Sequence, residues 1–418
     1  GNYGGQGSLV AFDTLMDKYG PNTKAALAKY PDIKKGITTE DGKIYALPQI
    51  YTYDEKLVGY KMYLNKKWLD KLGLQLPQTT DDYYKVLKAF KEKDPNGNGK
   101  ADEIPYTSDA SFKLFTLLKG SWGLANRGPL NTPDVVNYDL DPKTSNVRFL
   151  PTDAGYKSIL EYCAKLFSEK LIDSDMFTIK AQSADLAAKT TTDIIGSFIS
   201  TNKNDVNVKF TGDFVLVPPL KGPNGDQLYT DVRSMLDEGA FSITSKNKYP
   251  NETMKWVDYF YSVEGGRLLE MGVEGKTYNK KASGGFEYSE FITKNPNGLS
   301  FNNAVGLIST AITAVSPHIA TKEDNQFLTP EVIKETEEVK KYAIKENWNS
   351  LRFTNKEQEK LKELDTEINK YINEMRAKFV SGSESIDTGW TKYTETFKKL
   401  KVDEVLAIYK AATERLKK

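Results

Sequence analysis

The stretch Asp94-Pro95-Asn96-Gly97-Asn98-Gly99-Lys100-Ala101-Asp102-Glu103-Ile104-Pro105 carries oxygen-bearing side chains at positions 1, 3, 5 and 9 of a loop, with glycine at position 6. A calcium ion takes roughly six to eight hard oxygen ligands, and alternation of this kind turns each donor inward. On this reading Asp94, Asn96, Asn98 and Asp102 are side-chain ligands. Gly99 permits the sharp turn, and Lys100 offers its main-chain carbonyl at position 7, where side-chain type matters little. The pattern departs from a full EF-hand loop at position 12, where Pro105 stands in place of a bidentate glutamate; Glu103, adjacent to Asp102, is the expected substitute. No clean helix pair flanks the stretch, so the ion is expected to be structural and not a switch. The same residues also favour a plain Asn/Gly surface turn. Five oxygen donors in register exceed what a turn requires.

Other reactive residues are scarce. The chain has one cysteine, Cys163, and one histidine, His318. A single cysteine excludes an intrachain disulfide and every multi-cysteine metal site. Cys163 is expected to be a buried, inert thiol, and His318, after Ser316-Pro317, a surface or supporting residue. Gly275-Lys276-Thr277 ends like a phosphate loop, but Glu270 occupies the position that needs its first glycine. Acidic residues sit mainly on polar helix faces, so paired-carboxylate catalysis is not the expected chemistry.

With 418 residues the chain exceeds the size of one hydrophobic core, which predicts two lobes. Lys and Arg number 58 against 57 Asp and Glu, so no net field draws the protein to nucleic acid or anionic membrane. No run of about 18 apolar residues is present. The opening Gly1-Asn2-Tyr3-Gly4-Gly5 reads as a point downstream of a natural start.

Apolar periodicity predicts the elements that position these residues. Helices are expected over 9–19, 22–30, 66–72 and 156–169, and from about 251 to 271. Another should start at the cap cluster Thr79-Thr80-Asp81-Asp82 and run through Phe90. Strands are expected over 42–48, 60–65, 194–199, 214–217 and 239–244. Their alternation with helices predicts an α/β architecture with a mainly parallel sheet. The last hundred residues differ. Leu361, Leu364, Ile368, Ile372, Met375 and Phe379 recur at steps of three and four, the apolar stripe of a long packed helix, and two more helices follow over 389–400 and 402–416.

The order of several segments carries a family resemblance: Gly42–Pro48 (GKIYALP), Asn65–Gly73 (NKKWLDKLG), the lead-in Leu76-Pro77-Gln78-Thr79, the loop Asp94–Pro105, Leu220–Gly225 (LKGPNG), Gly239–Thr244 (GAFSIT) and Gly272–Gly275 (GVEG). In this order the chain resembles the family 1 extracellular solute-binding proteins of ABC importers. The likeness is greatest to the Gram-positive lipoprotein type, similar to alginate-oligosaccharide-binding members that carry a related calcium loop.

The resemblance implies a two-lobed, periplasmic-binding-protein-like type II fold with a hinge and extra C-terminal helices. Residues 1–50 and 233–310 would form one lobe, and 51–232 with 311–418 the other. It implies a saccharide captured in an interlobe cleft and delivered to a membrane permease, a monomeric extracellular protein held by a lipid anchor, and no catalysis. A receptor presenting its ligand to a sensor kinase is the alternative, and a carbohydrate-active enzyme a weaker one. By motif position the calcium ligands would be Asp94, Asn96, Asn98, Lys100 through its carbonyl, Asp102 and Glu103. The family's opening β-α-β-α-β stretch, on the order of a hundred residues, is missing here, so the first lobe is expected to be incomplete. Sugars offer apolar C–H faces and hydroxyls, which call for aromatic platforms and a few polar groups. Tyr51, Tyr53, Trp122 and Tyr229 are the candidate platforms, and Arg233 the candidate partner of hydroxyls or a uronate carboxylate. Trp68, Trp256 and Trp390 are assigned to helix packing.

Overall fold

The computed structural model describes residues 2–53, 55, 58–108, 112–124, 137–141, 143–177, 192–201, 203, 211–232, 236–297, 301–309, 316–325, 328–344, 351 and 353–416. The chain forms two compact units: unit 1 is Gly1–Leu57 with Ser234–Lys334, and unit 2 is Val58–Arg233 with Glu335–Lys418. The polypeptide therefore passes from one unit to the other three times. Expected boundaries at 50, 232 and 310 lie instead at 57, 233 and 334. The largest displacement has a clear cause: Ile319 and Ala320 pair in parallel with Ile50 and Tyr51, which ties the segment after 310 to unit 1.

After a one-turn helix at Asn2–Gly5, unit 1 contains α1 (Asp13–Tyr19) and α2 (Pro21–Lys29), a short helix at Pro31–Ile37, and then β1 (Leu47–Tyr51), every residue of which is buried. Unit 2 begins with β2 (Lys61–Asn65), α3 (Lys66–Leu72) and α4 (Thr80–Glu92). The predicted cap of α4 is a full capping box: Thr79 Oγ1 accepts from the Asp82 N–H at 3.0 Å, and Asp82 Oδ2 accepts from the Thr79 N–H at 3.1 Å. Asn65 caps α3 with its side-chain oxygen alone, which accepts from the Trp68 N–H at 3.1 Å, and Gly73 closes the helix in the left-handed conformation (φ 65°). Then come β3 (Thr107–Ser108), α5 (Ala154–Ser168), β4 (Ser197–Ser200) and β5 (Phe214–Val217), giving a four-stranded sheet of order β3-β4-β2-β5.

The chain re-enters unit 1 with β6 (Leu236–Phe241), α6 (Pro250–Tyr259), α7 (Val263–Met271) and β7 (Ile319–Ala320); the sheet here has the order β7-β1-β6. The last crossing falls inside α8 (Pro330–Lys340), and the chain ends in unit 2 with α9 (Asn355–Ser381), α10 (Ile386–Lys399) and α11 (Val402–Leu416).

Three expectations are corrected. The sheets are mixed: β2 is antiparallel to both β4 and β5, and β1 to β6, while β3–β4 and β1–β7 are parallel. The single helix expected from 251 to 271 is two, because the Ser262 side chain accepts from the Gly265 N–H and starts a new helix. Trp256 does not pack into the core. The inward stripe of α6 is Met254, Val257 and Asp258, which leaves the indole 58% exposed against Phe260 and Phe241.

The larger core lies in unit 2. Trp68 and Phe90 cross edge to face with ring centroids 5.2 Å apart, and both are fully buried. The C-terminal stripe behaves as expected: Leu361, Leu364, Ile368, Ile372, Met375 and Phe379 are all buried in this core, with α9 packed on α5. Trp390 is half-buried against Tyr393. Cys163 is buried among these residues, and loss of hydration pushes its thiol up to about 12, so it stays protonated and unreactive.

On α9, Asp365 lies beside Tyr138, whose hydroxyl donates to Oδ1 at 3.4 Å, and Tyr138 stacks on Tyr409 of α11 at 4.5 Å. Burial raises the Asp365 carboxyl to about 6 from its ordinary 3.8. A folded-state value above the unfolded one means that stability is full below the unfolded value and declines as pH rises through the folded one. Asp365→Asn is therefore expected to raise stability by about 1–2 kcal/mol at pH 7.5, after discounting for partial solvent access. It should also flatten urea-derived stability between about pH 4 and 6.

Candidate functional site

The Asp94–Pro105 loop joins α4 to β3. Its shape depends on residues with positive φ: Asp94 at 44°, Gly97 at 75° and Gly99 at 74°. The Asp94 carboxylate is the hub. Oδ1 accepts from the N–H groups of Gly97 (2.9 Å) and Asn98 (3.1 Å), and Oδ2 from that of Gly99 (3.0 Å). Asn96 Oδ1 accepts from the Asn98 N–H at 2.9 Å, and Asn98 Oδ1 from the Lys100 N–H at 2.7 Å. Asn98 Nδ2 donates to both oxygens of Asp102 at 3.1 and 3.2 Å, and Asn96 Nδ2 to Asp102 Oδ1 at 3.3 Å. The predicted side chains at positions 1, 3, 5 and 9 are thus joined in one hydrogen-bonded cluster.

Glu103 tests whether this cluster suits a cation. It is 2% exposed, and its Oε1 has no hydrogen-bond partner among the described residues. Burial pushes its carboxyl above the usual range, and the nearby Asp102 and Asp94 charges push the same way. The Asp102 carboxyl is held low, first by the Asn98 amide. A buried carboxylate oxygen without a partner, under the charges of Asp102 and Asp94, is the kind of electrostatic deficit that a cation relieves. The residue types present suit a hard cation, and Glu103 carries the unsatisfied carboxylate oxygen. Among the described residues no three acidic, histidine or cysteine side chains form a metal cluster by themselves.

The candidate solute-binding residues divide between the units. Tyr51 and Tyr53 belong to unit 1, both 7% exposed, with rings 6.0 Å apart in a T-shaped pair; Asn325 Nδ2 donates to the Tyr53 hydroxyl at 2.8 Å. Trp122 and Tyr229 belong to unit 2. Trp122 is buried 5.3 Å from the Tyr162 ring, and its indole N–H has no partner among the described residues. The Tyr229 hydroxyl donates to the Tyr60 carbonyl at 2.8 Å. Arg233 lies outside the described residues.

Sequence reasoning missed two arrangements. His318 is fully buried, not at the surface: its Nε2 lies 2.8 Å from Glu270 Oε1, and its Nδ1 lies 3.0 Å from the Ser316 carbonyl. A carboxylate and a carbonyl on opposite sides of the ring let it sit in the core of unit 1. The second lies where the chain first enters unit 2. There Asp231 Oδ2 accepts from the Tyr60 N–H at 2.5 Å, and the Lys113 ammonium stands 3.7 Å from the centre of the Tyr60 ring. These partners are separated by 171 residues in one case and by 53 in the other, so no local pattern announces them.

No protein-family model matches the chain. It is 29% identical over 421 residues to the fructooligosaccharide ABC transporter substrate-binding protein FusA of Streptococcus pneumoniae, an alignment covering 97% of this chain and 76% of that one. It is 26% identical to lipoprotein LipO of Bacillus subtilis, covering 88% of this chain and 70% of the relative. Among solved structures, the alginate-binding protein AlgQ2 without calcium ion superposes with a TM-score of 0.81 at 24% identity, over 99% of this chain and 83% of that one. FusA described as an EF-hand mutant in complex with fructo-nystose superposes at 0.75 and 25% identity, over 100% and 85%. Along nearly its whole length, then, the chain is similar in sequence to ABC transporter substrate-binding proteins and shares the fold of solved solute-binding proteins.

Proposed function

We propose that this protein captures an oligosaccharide outside the cell and delivers it to the membrane subunits of an ABC importer, without chemical change to the sugar. The observation that carries the proposal is the alignment to FusA over 97% of the chain, in a molecule whose two units are linked by three crossings. Two-unit proteins of this construction bind by hinge closure. Tyr51, Tyr53, Trp122, Tyr229 and Arg233 are the proposed solute contacts. Trp122 has the best physical support, since a buried indole N–H left unpaired costs about 1–3 kcal/mol and a sugar hydroxyl would satisfy it.

The calcium loop is proposed to serve stability. Asp94, Asn96, Asn98, Asp102 and Glu103, with the Lys100 carbonyl, would hold the ion, which supplies a fixed positive charge that locks the link between α4 and β3. A lipid anchor on the outer face of the membrane and a monomeric state complete the proposal; among the described residues no helix is long and apolar enough to cross a membrane.

Two measurements test it. A thermal-shift screen against neutral and uronate-bearing oligosaccharides should show stabilisation by at least one class, and released reducing ends would instead mark an enzyme. Calcium added after chelation should raise Tm, with a gain of about 2.7 kcal/mol at a hundredfold excess over Kd. An unchanged Tm removes the calcium assignment.

A further inference from the structure

Two lysines outside the proposed calcium loop, Lys71 and Lys91, touch it, and the ligand set gives no role to their ammonium groups or to that of Lys100. Lys71, in the last turn of α3, places its ammonium 3.4 Å from the carbonyl oxygen of Asp94. The same group overlies Gly97: a β-carbon at that position would stand 2.6 Å from Lys71 Nζ. Lys91, in the last turn of α4, donates to the Glu103 carbonyl at 2.9 Å. Lys100 belongs to the loop itself. Three carboxylates, those of Asp94, Asp102 and Glu103, are thus matched by three ammonium groups, and the site is near neutral before any metal enters.

Charge count is a principal control of affinity in calcium loops. The geometry points to Lys71 as the residue that sets the calcium affinity of this loop, acting as a built-in counter-ion that competes with the divalent ion. This rests on the calcium reading given above. Lys71 and Lys91 play different parts. Lys91 is half-buried and makes a direct hydrogen bond that joins α4 to the exit of the loop, a tie that can persist with metal bound. Lys71 is exposed, and its contact with the Asp94 carbonyl is long. Gly97 is its complement, because any side chain there would displace the ammonium as well as strain a backbone at φ 75°. An ammonium a few ångströms from a divalent ion at a solvated surface weakens binding by roughly threefold to tenfold at low salt, and less as salt screens it.

The test is a calorimetric calcium titration of the unmodified chain, Lys71→Met and Lys71→Arg. Lys71→Met should bind calcium about threefold to tenfold more tightly at low ionic strength, with the gap closing at high salt. Lys71→Arg, which keeps the charge, should stay within about twofold of the unmodified protein. Unchanged or weaker affinity in Lys71→Met overturns the role of Lys71 while leaving the calcium site standing. No calcium binding by the unmodified chain overturns both.

Discussion

Asp94→Ala should lower calcium affinity by at least about 100-fold and abolish the calcium-dependent rise in Tm. The substitution removes a negative ligand from position 1. It also removes the acceptor of three main-chain N–H groups, those of Gly97, Asn98 and Gly99. Alanine is in addition poorly suited to φ 44°, a conformation that costs a residue without a polar side chain about 1–2 kcal/mol. Asp94→Asn separates these contributions in part: it keeps one acceptor oxygen for the Gly97 and Asn98 N–H groups, loses the acceptor of the Gly99 N–H and drops the charge, so its loss of affinity should be intermediate. Calorimetric titration with chelator-treated protein measures both. Equal affinity in Asp94→Ala and the unmodified chain would mean that the ion, if bound, sits elsewhere.

The second large effect is in unit 1. Asp258, on α6 and 4% exposed, accepts four hydrogen bonds from the start of α2. They come from the Asn22 N–H (3.3 Å), Asn22 Nδ2 (2.9 Å), the Thr23 N–H (2.7 Å) and Thr23 Oγ1 (2.7 Å). A carboxylate at a helix N-terminus satisfies donors that the helix leaves open and meets the positive end of its dipole. Asp258→Ala strands the buried Thr23 donors and should cost unit 1 about 3–5 kcal/mol. Hydrogen-exchange mass spectrometry should show faster exchange in α1, α2 and α6, with protection in unit 2 unchanged. Uniform acceleration of both units would show that they unfold together, and no acceleration would show that Asp258 is not the clamp described.

The legibility of this molecule in its sequence follows the range of each interaction. Helices with a local start signal and a continuous stripe, such as α4 with Thr79 and Asp82 or α9 from Leu361 to Phe379, were readable because the decisive contacts lie within a few residues. The tight turn of the Asp94–Pro105 loop was readable for the same reason. Strand direction was not: whether β2 runs with or against β4 depends on partners some 135 residues apart, as in Met62 opposite Ile199. Burial of a polar residue was equally hidden. His318 enters the core because Glu270 and Ser316 meet it there, and a sequence containing one histidine does not reveal a carboxylate 48 positions away. Trp256 misled in the opposite sense. Its helix is amphipathic, but the stripe that faces inward belongs to Met254 and Val257, and the indole lies on the other side.

The domain boundary moved for a related reason. Composition around residue 310 offers no break, and the two-residue strand β7 that binds the following segment to unit 1 is too short to leave a periodic signal. The solute contacts are the least legible part. Aromatic residues near a crossing look alike in sequence whether they stack on each other, as Tyr51 and Tyr53 do, or wait for a sugar.

Solute capture is tested most directly by isothermal titration of the calcium-loaded protein with the oligosaccharide that gives the largest thermal shift. The account predicts saturable one-to-one binding, with the same sugar recovered intact afterwards. Absence of heat with every neutral and acidic oligosaccharide, or recovery of cleaved products, would contradict it.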